Sequence, residues 1–262
     1  MRIADRTFIV SGGSSGLGLA TVADLLTSDA YVAIVDLKPP KDLELPSSSH
    51  IKFFQTDISE VDEIEKAVDG TVAWTKGTGA ALGGVINCAG VGTAGKIIDS
   101  NNDPLSLDLW DFTLAVNLTG TFNLTRLALK HLVTVPPEGP DGERGIIILV
   151  ASSAAFEGQP GQVAYAASKG ALASMTLPMS RDLARHAIRI VTIAPGAFSS
   201  AMTAQLPEKA RRSLEGSGGL VYPQRFGNPN EFAKTVRWAM EVPYVNGEIV
   251  RLSGAGRLPG KL

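Results

Sequence analysis

Short apolar runs rich in valine and isoleucine alternate along this chain with longer segments patterned for helix. The runs fall at 7–10, 31–35, 51–55, 84–86, 145–150, 189–193 and 249–252. They are continuously apolar rather than strictly alternating, which suits strands buried on both faces of a parallel sheet. Helical patterning covers 17–26, 61–75, 109–133, 163–185 and 229–239. Strand-helix alternation of this kind predicts an α/β fold, a doubly wound parallel sheet of about seven strands with helices on both faces. A length of 262 residues suits one such Rossmann-type domain spanning 1–262. No repeat, low-complexity tract or linker divides it. Three loops stand out, at 92–108, 136–144 and 197–226. The first and third leave the carboxyl ends of predicted strands, where open α/β sheets bind ligands.

Composition excludes several functions. The net charge is −2, and lysine and arginine are scattered, so no nucleic-acid footprint is visible. No apolar run is long enough to span a membrane. No metal site is read from the sequence. The only cysteine, Cys88, rules out an intrachain disulfide and fits a reducing intracellular compartment, cytoplasm or organellar matrix. The first apolar run begins so early that no signal or transit peptide is expected. The final Gly260-Lys261-Leu262 differs by one residue from the Ser-Lys-Leu peroxisomal address, and an arbitrary tail is the preferred reading.

Directly after the first strand comes Ser11-Gly12-Gly13-Ser14-Ser15-Gly16-Leu17-Gly18. Glycines there permit a tight turn and let backbone N–H groups approach a phosphate at the next helix N-terminus. The spacing is Gly-x-x-x-Gly-x-Gly rather than the general dinucleotide fingerprint. Asp36 ends the second strand, where a carboxylate can accept hydrogen bonds from a ribose 2′-hydroxyl and repel a 2′-phosphate. With no lysine or arginine in the glycine turn, NAD is expected rather than NADP. A capping or solvated aspartate is the alternative for Asp36. Asp57-Ile58 could line the adenine, although Asp57 could equally cap a turn. Asn87-Cys88-Ala89-Gly90 closes the fourth strand with small residues that let the backbone pass close to a cofactor. Cys88 reads most simply as a buried small hydrophobe.

The run from Ser152 to Lys169 holds the reactive side chains. Tyr165 and Lys169 are four residues apart, which puts a phenol and an ammonium on one helical face. An adjacent cation favours the tyrosinate, and so would let Tyr165 exchange protons near neutral pH. The alternative is a core tyrosine beside a solvated lysine. Asn117 sits inside a predicted helix that disfavours asparagine, which implies either a site role or polar packing. Gln159 and Gln162 flank the serine loop and could touch substrate or simply bond within the loop. Lys209, Arg211 and Arg212 could meet phosphates, with a solvated face the preferred reading.

Taken in order, these motifs resemble the short-chain dehydrogenase/reductase superfamily over essentially the whole chain. The resemblance is closest to the group of type 2 3-hydroxyacyl-CoA dehydrogenases, also called type 10 17β-hydroxysteroid dehydrogenases. It rests on stretches such as 154–159, 175–178, 181–184, 206–209 and 246–248. It implies that Tyr165 is the general acid/base and that Lys169 depresses its pKa and holds the nicotinamide ribose. It implies that Ser152, rather than Ser153, binds the substrate oxygen and that Asn117 orders a relay water. Ser15, Leu17, Asp36, Asp57, Ile58, Cys88 and Phe198 match cofactor-contacting positions. After Pro195-Gly196 the family often has a threonine that binds the carboxamide; here Ser199-Ser200 stands there, and Ser200 can supply the same hydroxyl. The expected activity is NAD-dependent interconversion of a secondary alcohol and a ketone, on 3-hydroxyacyl-CoA or on hydroxysteroids, by a homotetramer. The competing expectations are an NADPH-dependent 3-oxoacyl thioester reductase and a non-catalytic nicotinamide sensor that binds partner proteins.

Overall fold

A computed structural model of the chain describes residues 1–40, 48–200, 203, 220–258 and 260. Among the described residues seven strands form one sheet, β1 (Thr7–Ser11), β2 (Tyr31–Asp36), β3 (Ile51–Gln55), β4 (Leu82–Asn87), β5 (Gly145–Val150), β6 (Ile188–Pro195) and β7 (Ile249–Leu252). Their spatial order is β3-β2-β1-β4-β5-β6-β7, and each adjacent pair is parallel. The predicted doubly wound sheet is therefore present. The order reverses between β1 and β4, which opens a crevice at the carboxyl ends of those strands.

Alternate residues of each central strand serve opposite cores. Phe8, Val10, Ile34, Ile86, Ile148 and Val191 pack on one face with Val22 and Leu25 of α1 (Gly16–Leu26), and with Phe232 and Val236 of a later helix, Pro229–Glu241. Ile9, Val35, Val85, Ile147 and Ile190 pack on the other with α2 (Val61–Thr78) and with Leu124 and Ala128. Both faces being covered explains why the strands lack polar alternation. Each such fully buried aliphatic side chain contributes about 1.5–3 kcal/mol.

The predicted helix 109–133 is not one helix. It consists of α3 (Leu107–Leu114), a widened π turn (Ala115–Gly120) and α4 (Thr121–Leu132). The cause is Asn117, which sits in the π turn. Its Oδ1 accepts the N–H of Val91 at 2.8 Å, and its Nδ2 donates to the Val91 carbonyl at 3.0 Å. A buried side chain that bonds another segment's backbone favours a local bulge over regular winding. Helix α5 (Val163–Leu183) ends close to expectation, and α6 (Pro229–Glu241) begins with a capping box between Asn228 and Glu231.

The end of the sheet away from the crevice is held by Arg189 of β6, 6% exposed. Its guanidinium donates to Glu143 at 2.7 Å and to the carbonyls of Ala239, Met240, Val242 and Val245 at 2.6–3.2 Å. A cation at these carbonyls satisfies the C-terminal end of α6 and complements its dipole. Replacing Arg189 with Met would strand four carbonyls and leave Glu143 with only the Met1 amine, 3.2 Å away. Arg189→Met is expected to lose about 3 kcal/mol of stability, read from the urea midpoint.

Candidate active site

The switch-point crevice is a cleft of about 350 Å³. One wall is the turn from β1 into α1. Gly12 has φ +64°, and a Cβ on it would lie 2.7 Å from the Ala89 nitrogen, so only glycine fits where this turn meets the end of β4. Ser15, Gly16, Leu17 and Gly18 continue this wall. Ser15 is the N-cap of α1 and its side chain makes no cap bond, which leaves the helix N-terminus open to an anion. Asp36 lies beside the turn, where Oδ2 accepts the Ser14 N–H at 3.0 Å and Oδ1 the Leu37 N–H at 2.7 Å. These bonds fix the carboxylate at the cleft wall next to Leu37, Thr56, Asp57 and Ile58. Asp57 also caps locally, because its Oδ1 accepts the N–H and hydroxyl of Ser59.

Cys88, Ala89 and Gly90 form the cleft floor, and Asn87 lies behind them. Asn87 is buried, with Nδ2 donating to Thr125 Oγ1 and to the Ile148 carbonyl. Burial pushes the Cys88 thiol up to about 12, against nearby Lys169 and a bond with Thr21, so it is a neutral thiol.

Ser152, Tyr165 and Lys169 line the opposite end. Ser152 is extended and caps a short turn, Ser153–Ala155, by accepting the Ala154 N–H at 3.1 Å. Its hydroxyl also hydrogen-bonds the Tyr165 phenol. Ser153 is buried and does not line the cleft. Lys169 Nζ donates to the Val150 carbonyl at 2.9 Å and lies 5.9 Å from the Tyr165 ring centre.

The electrostatics differ from the simple expectation for a phenol beside a cation. Burial raises the Tyr165 pKa, and a hydrogen bond with Ser152 opposes the rise. Lys169 is itself pushed down to about 8 by burial, offset in part by Cys88. Desolvation outweighs pairing for both groups. The protein alone thus holds a neutral phenol ready to donate, beside a lysine that keeps its charge at neutral pH and loses it above about 8.

Asn117 is fully buried behind the site, and both its amide hydrogens are committed, to Val91 and to Ser168 Oγ at 3.2 Å. Ser168 in turn donates to the Tyr165 carbonyl at 2.7 Å, which ties α5 to the π turn. Gln159 and Gln162 do not line the cleft; the Gln159 N–H donates to Gln162 Oε1 at 3.0 Å within their loop. Pro195, Phe198 and Ser200 do line it. So does Thr203, which the sequence reading missed. Its hydroxyl accepts the Ser200 N–H at 2.9 Å and donates to the Phe198 carbonyl at 2.7 Å, and the Ser-x-x-Thr spacing was the available signal. Lys209, Arg211 and Arg212 fall outside the described residues, as do Lys261 and Leu262.

A parallel sheet with a glycine turn at its switch point and a serine, tyrosine and lysine on the facing wall defines a dinucleotide-binding oxidoreductase. The comparisons agree. The family model described as short chain dehydrogenase matches residues 6–211. The chain is 40% identical to the 3-hydroxyacyl-CoA dehydrogenase type-2 of Drosophila melanogaster over 98% of its own length and 99% of that protein's. It is 39% identical to the Homo sapiens protein of the same name, over 95% and 94% of the two chains. A crystal structure of 3-hydroxyacyl-CoA dehydrogenase type-2 from Mycobacterium avium superposes with a TM-score of 0.86 at 32% identity, covering 98% of this chain and 97% of that one. The chain belongs to the short-chain dehydrogenase family. Membership makes it an oxidoreductase acting on CH–OH groups with a nicotinamide cofactor. Among the described residues no helix is long and apolar enough to cross a membrane.

The depressed Lys169 pKa has a stability consequence. Between about 8 and the ordinary 10.5 the unfolded chain holds this proton and the folded chain has shed it. Stability therefore rises with pH across that window, by up to about 3 kcal/mol. Lys169→Met lacks this linkage. Urea unfolding at about pH 7 and about pH 10 is expected to show wild type gaining on the variant as pH rises.

Proposed function

We propose that this chain is an NAD-dependent dehydrogenase that interconverts (S)-3-hydroxyacyl-CoA and 3-oxoacyl-CoA. The observation that carries the reading is a single cleft with Ser152, Tyr165 and Lys169 at one end and the Asp36 carboxylate at the other. The full-length likeness to proteins named 3-hydroxyacyl-CoA dehydrogenase type-2 supports the substrate class.

The cleft fits the cofactor. Gly12 leaves a cradle that a Cβ would fill, and the open N-terminus of α1 points N–H groups toward it. When bound, the nicotinamide supplies the hydride acceptor for alcohol oxidation and the hydride donor for the reverse. Gly12, Ser15, Gly16, Leu17 and Gly18 would hold the phosphates. Asp57, Ile58 and the small residues Asn87 to Gly90 would border the adenosine and the nicotinamide ribose. Pro195, Phe198 and Ser200 would meet the carboxamide end.

In oxidation Tyr165 takes the substrate hydroxyl proton, and in reduction it donates it. Ser152 donates to the substrate oxygen and stabilises the charge that develops there. Lys169 holds the ribose and lends positive charge to the tyrosinate as it forms. Asn117 keeps Val91 and Ser168 in place behind the reacting groups. General acid/base catalysis of this kind is worth about 10²- to 10⁴-fold. Tyr165→Phe is expected to lose at least about 10²-fold in kcat with cofactor affinity unchanged. A near-normal rate would refute the mechanism.

The cofactor preference rests on Asp36. Among the described residues Lys169 is the sole cation lining the cleft, and it lies at the other end from Asp36. A carboxylate at the ribose accepts charge-assisted hydrogen bonds and repels a 2′-phosphate. Asp36→Ala is expected to weaken NAD binding about tenfold and to narrow the gap to NADP, measured by paired fluorescence titrations.

The homotetramer that the resemblance implies draws support from apolar side chains left exposed on the outer helices, Leu107 of α3 at 74%, Phe122 of α4 at 46% and Leu177 of α5 at 45%. The single, partly buried Cys88 fits a reducing intracellular compartment.

A further inference from the structure

Ser152 and Tyr165 are joined by the loop 153–162, and Glu157 anchors that loop to a distant part of the chain. The Glu157 N–H donates to the Ser153 carbonyl at 3.0 Å, one residue from the reactive serine. Its carboxylate leaves the loop. Oε1 accepts from Arg251 Nη2 at 2.6 Å and lies 3.0 Å from Arg257 Nε, and Oε2 accepts the Leu258 N–H at 3.0 Å. Arg251 belongs to the edge strand β7, and Arg257 and Leu258 follow it. The Arg251 guanidinium also stacks over the Phe156 ring, 5.3 Å from its centre.

The pair is largely shielded, with the Glu157 side chain 17% and the Arg251 side chain 27% exposed. Such a pair is held more firmly than a surface ion pair, and losing one member strands the other. The far side of the loop is pinned separately, by the Gly95 N–H donating to the Gly161 carbonyl at 2.8 Å. The start of the next segment is tied in too, since the Gly196 N–H donates to the Leu252 carbonyl at 2.9 Å. Glu157, Arg251 and Arg257 do not line the cleft. They touch neither the cofactor turn nor the reacting side chains, so their effect on chemistry is indirect.

We infer that Glu157 is a positioning residue: by joining Arg251, Arg257 and the Leu258 N–H it locks the C-terminal segment onto the Ser152 loop and fixes Ser152 relative to Tyr165. The inference rests on the reading of Ser152 and Tyr165 as the partners of the substrate oxygen. Misplacement of a reacting group by about 1 Å can cost as much as 10²-fold in rate. The adenosine end of the cleft, built from β1, β2 and α1, does not depend on this clamp.

The test uses the full chain with a short 3-hydroxyacyl-CoA and NAD, and compares wild type with Glu157→Gln, Arg251→Gln and the double variant. Glu157→Gln keeps size and an acceptor oxygen while removing the charge. It is expected to lower kcat per folded enzyme at least about tenfold with the dissociation constant for NAD changed less than about twofold. The double variant is expected to be no worse than Glu157→Gln alone, because both act through one contact. Arg251→Lys keeps the charge without the planar fork and is expected to show an intermediate loss. A lowered melting temperature with kcat per folded enzyme unchanged overturns the inference, as do additive losses in the double variant or a parallel fall in NAD affinity. Absence of wild-type turnover on this substrate would instead strike the functional reading.

Discussion

The site depends on backbones that meet with no side chain between them. Gly18 packs against the Gly12 carbonyl, Gly12 against Ala89, and Gly90 against Asn117 and Lys169. A Cβ on Gly90 would lie 3.1 Å from Asn117 Oδ1 and 3.4 Å from Lys169 Nζ. These contacts form a continuous line from the N-terminus of α1 to Lys169 beside Tyr165. They explain why the turn after β1 and the end of β4 are built from small residues, and why the cleft opens between those strands.

Burial sets the chemistry at the end of that line. Lys169 is 5% exposed and still carries a donor that must be satisfied, so it bonds the Val150 carbonyl. Its pKa falls to about 8, and the Tyr165 phenol is pushed the other way. Because burial penalises charge at this site, a positively charged ring bound beside it would change the balance strongly. The Asn117–Ser168–Tyr165 chain of bonds holds this arrangement from behind, and the Glu157 clamp holds the serine loop from the side.

Much of this was legible in the sequence because it is written in local patterns. Short apolar runs marked every strand, and β4 was read as 84–86 because Gly83 interrupts its apolar run at one end and the polar Asn87 closes it at the other. Asp36 and the glycine turn stand where a strand-helix reading puts them. Tertiary contacts were hidden. Asn117 splits a helix because it bonds Val91, 26 residues away, which periodicity does not report. Gln159 and Gln162, adjacent to the reactive loop in sequence, bond each other rather than line the cleft. Glu157 carries no local signal of its role, since its partners lie 94 to 101 residues further on. The expected direction of the Tyr165 shift neglected desolvation, which only the packed structure supplies.

The central claim is that one cleft oxidises a 3-hydroxyacyl thioester with NAD. The most direct measurement is initial rates for a panel of 3-hydroxyacyl-CoA chain lengths and hydroxysteroids, each with NAD and with NADP, followed by cofactor absorbance. The highest kcat/KM is expected for a 3-hydroxyacyl-CoA with NAD, with values at least about tenfold lower with NADP. No reduction of NAD by any of these alcohols, or a clear preference for NADP, would contradict it.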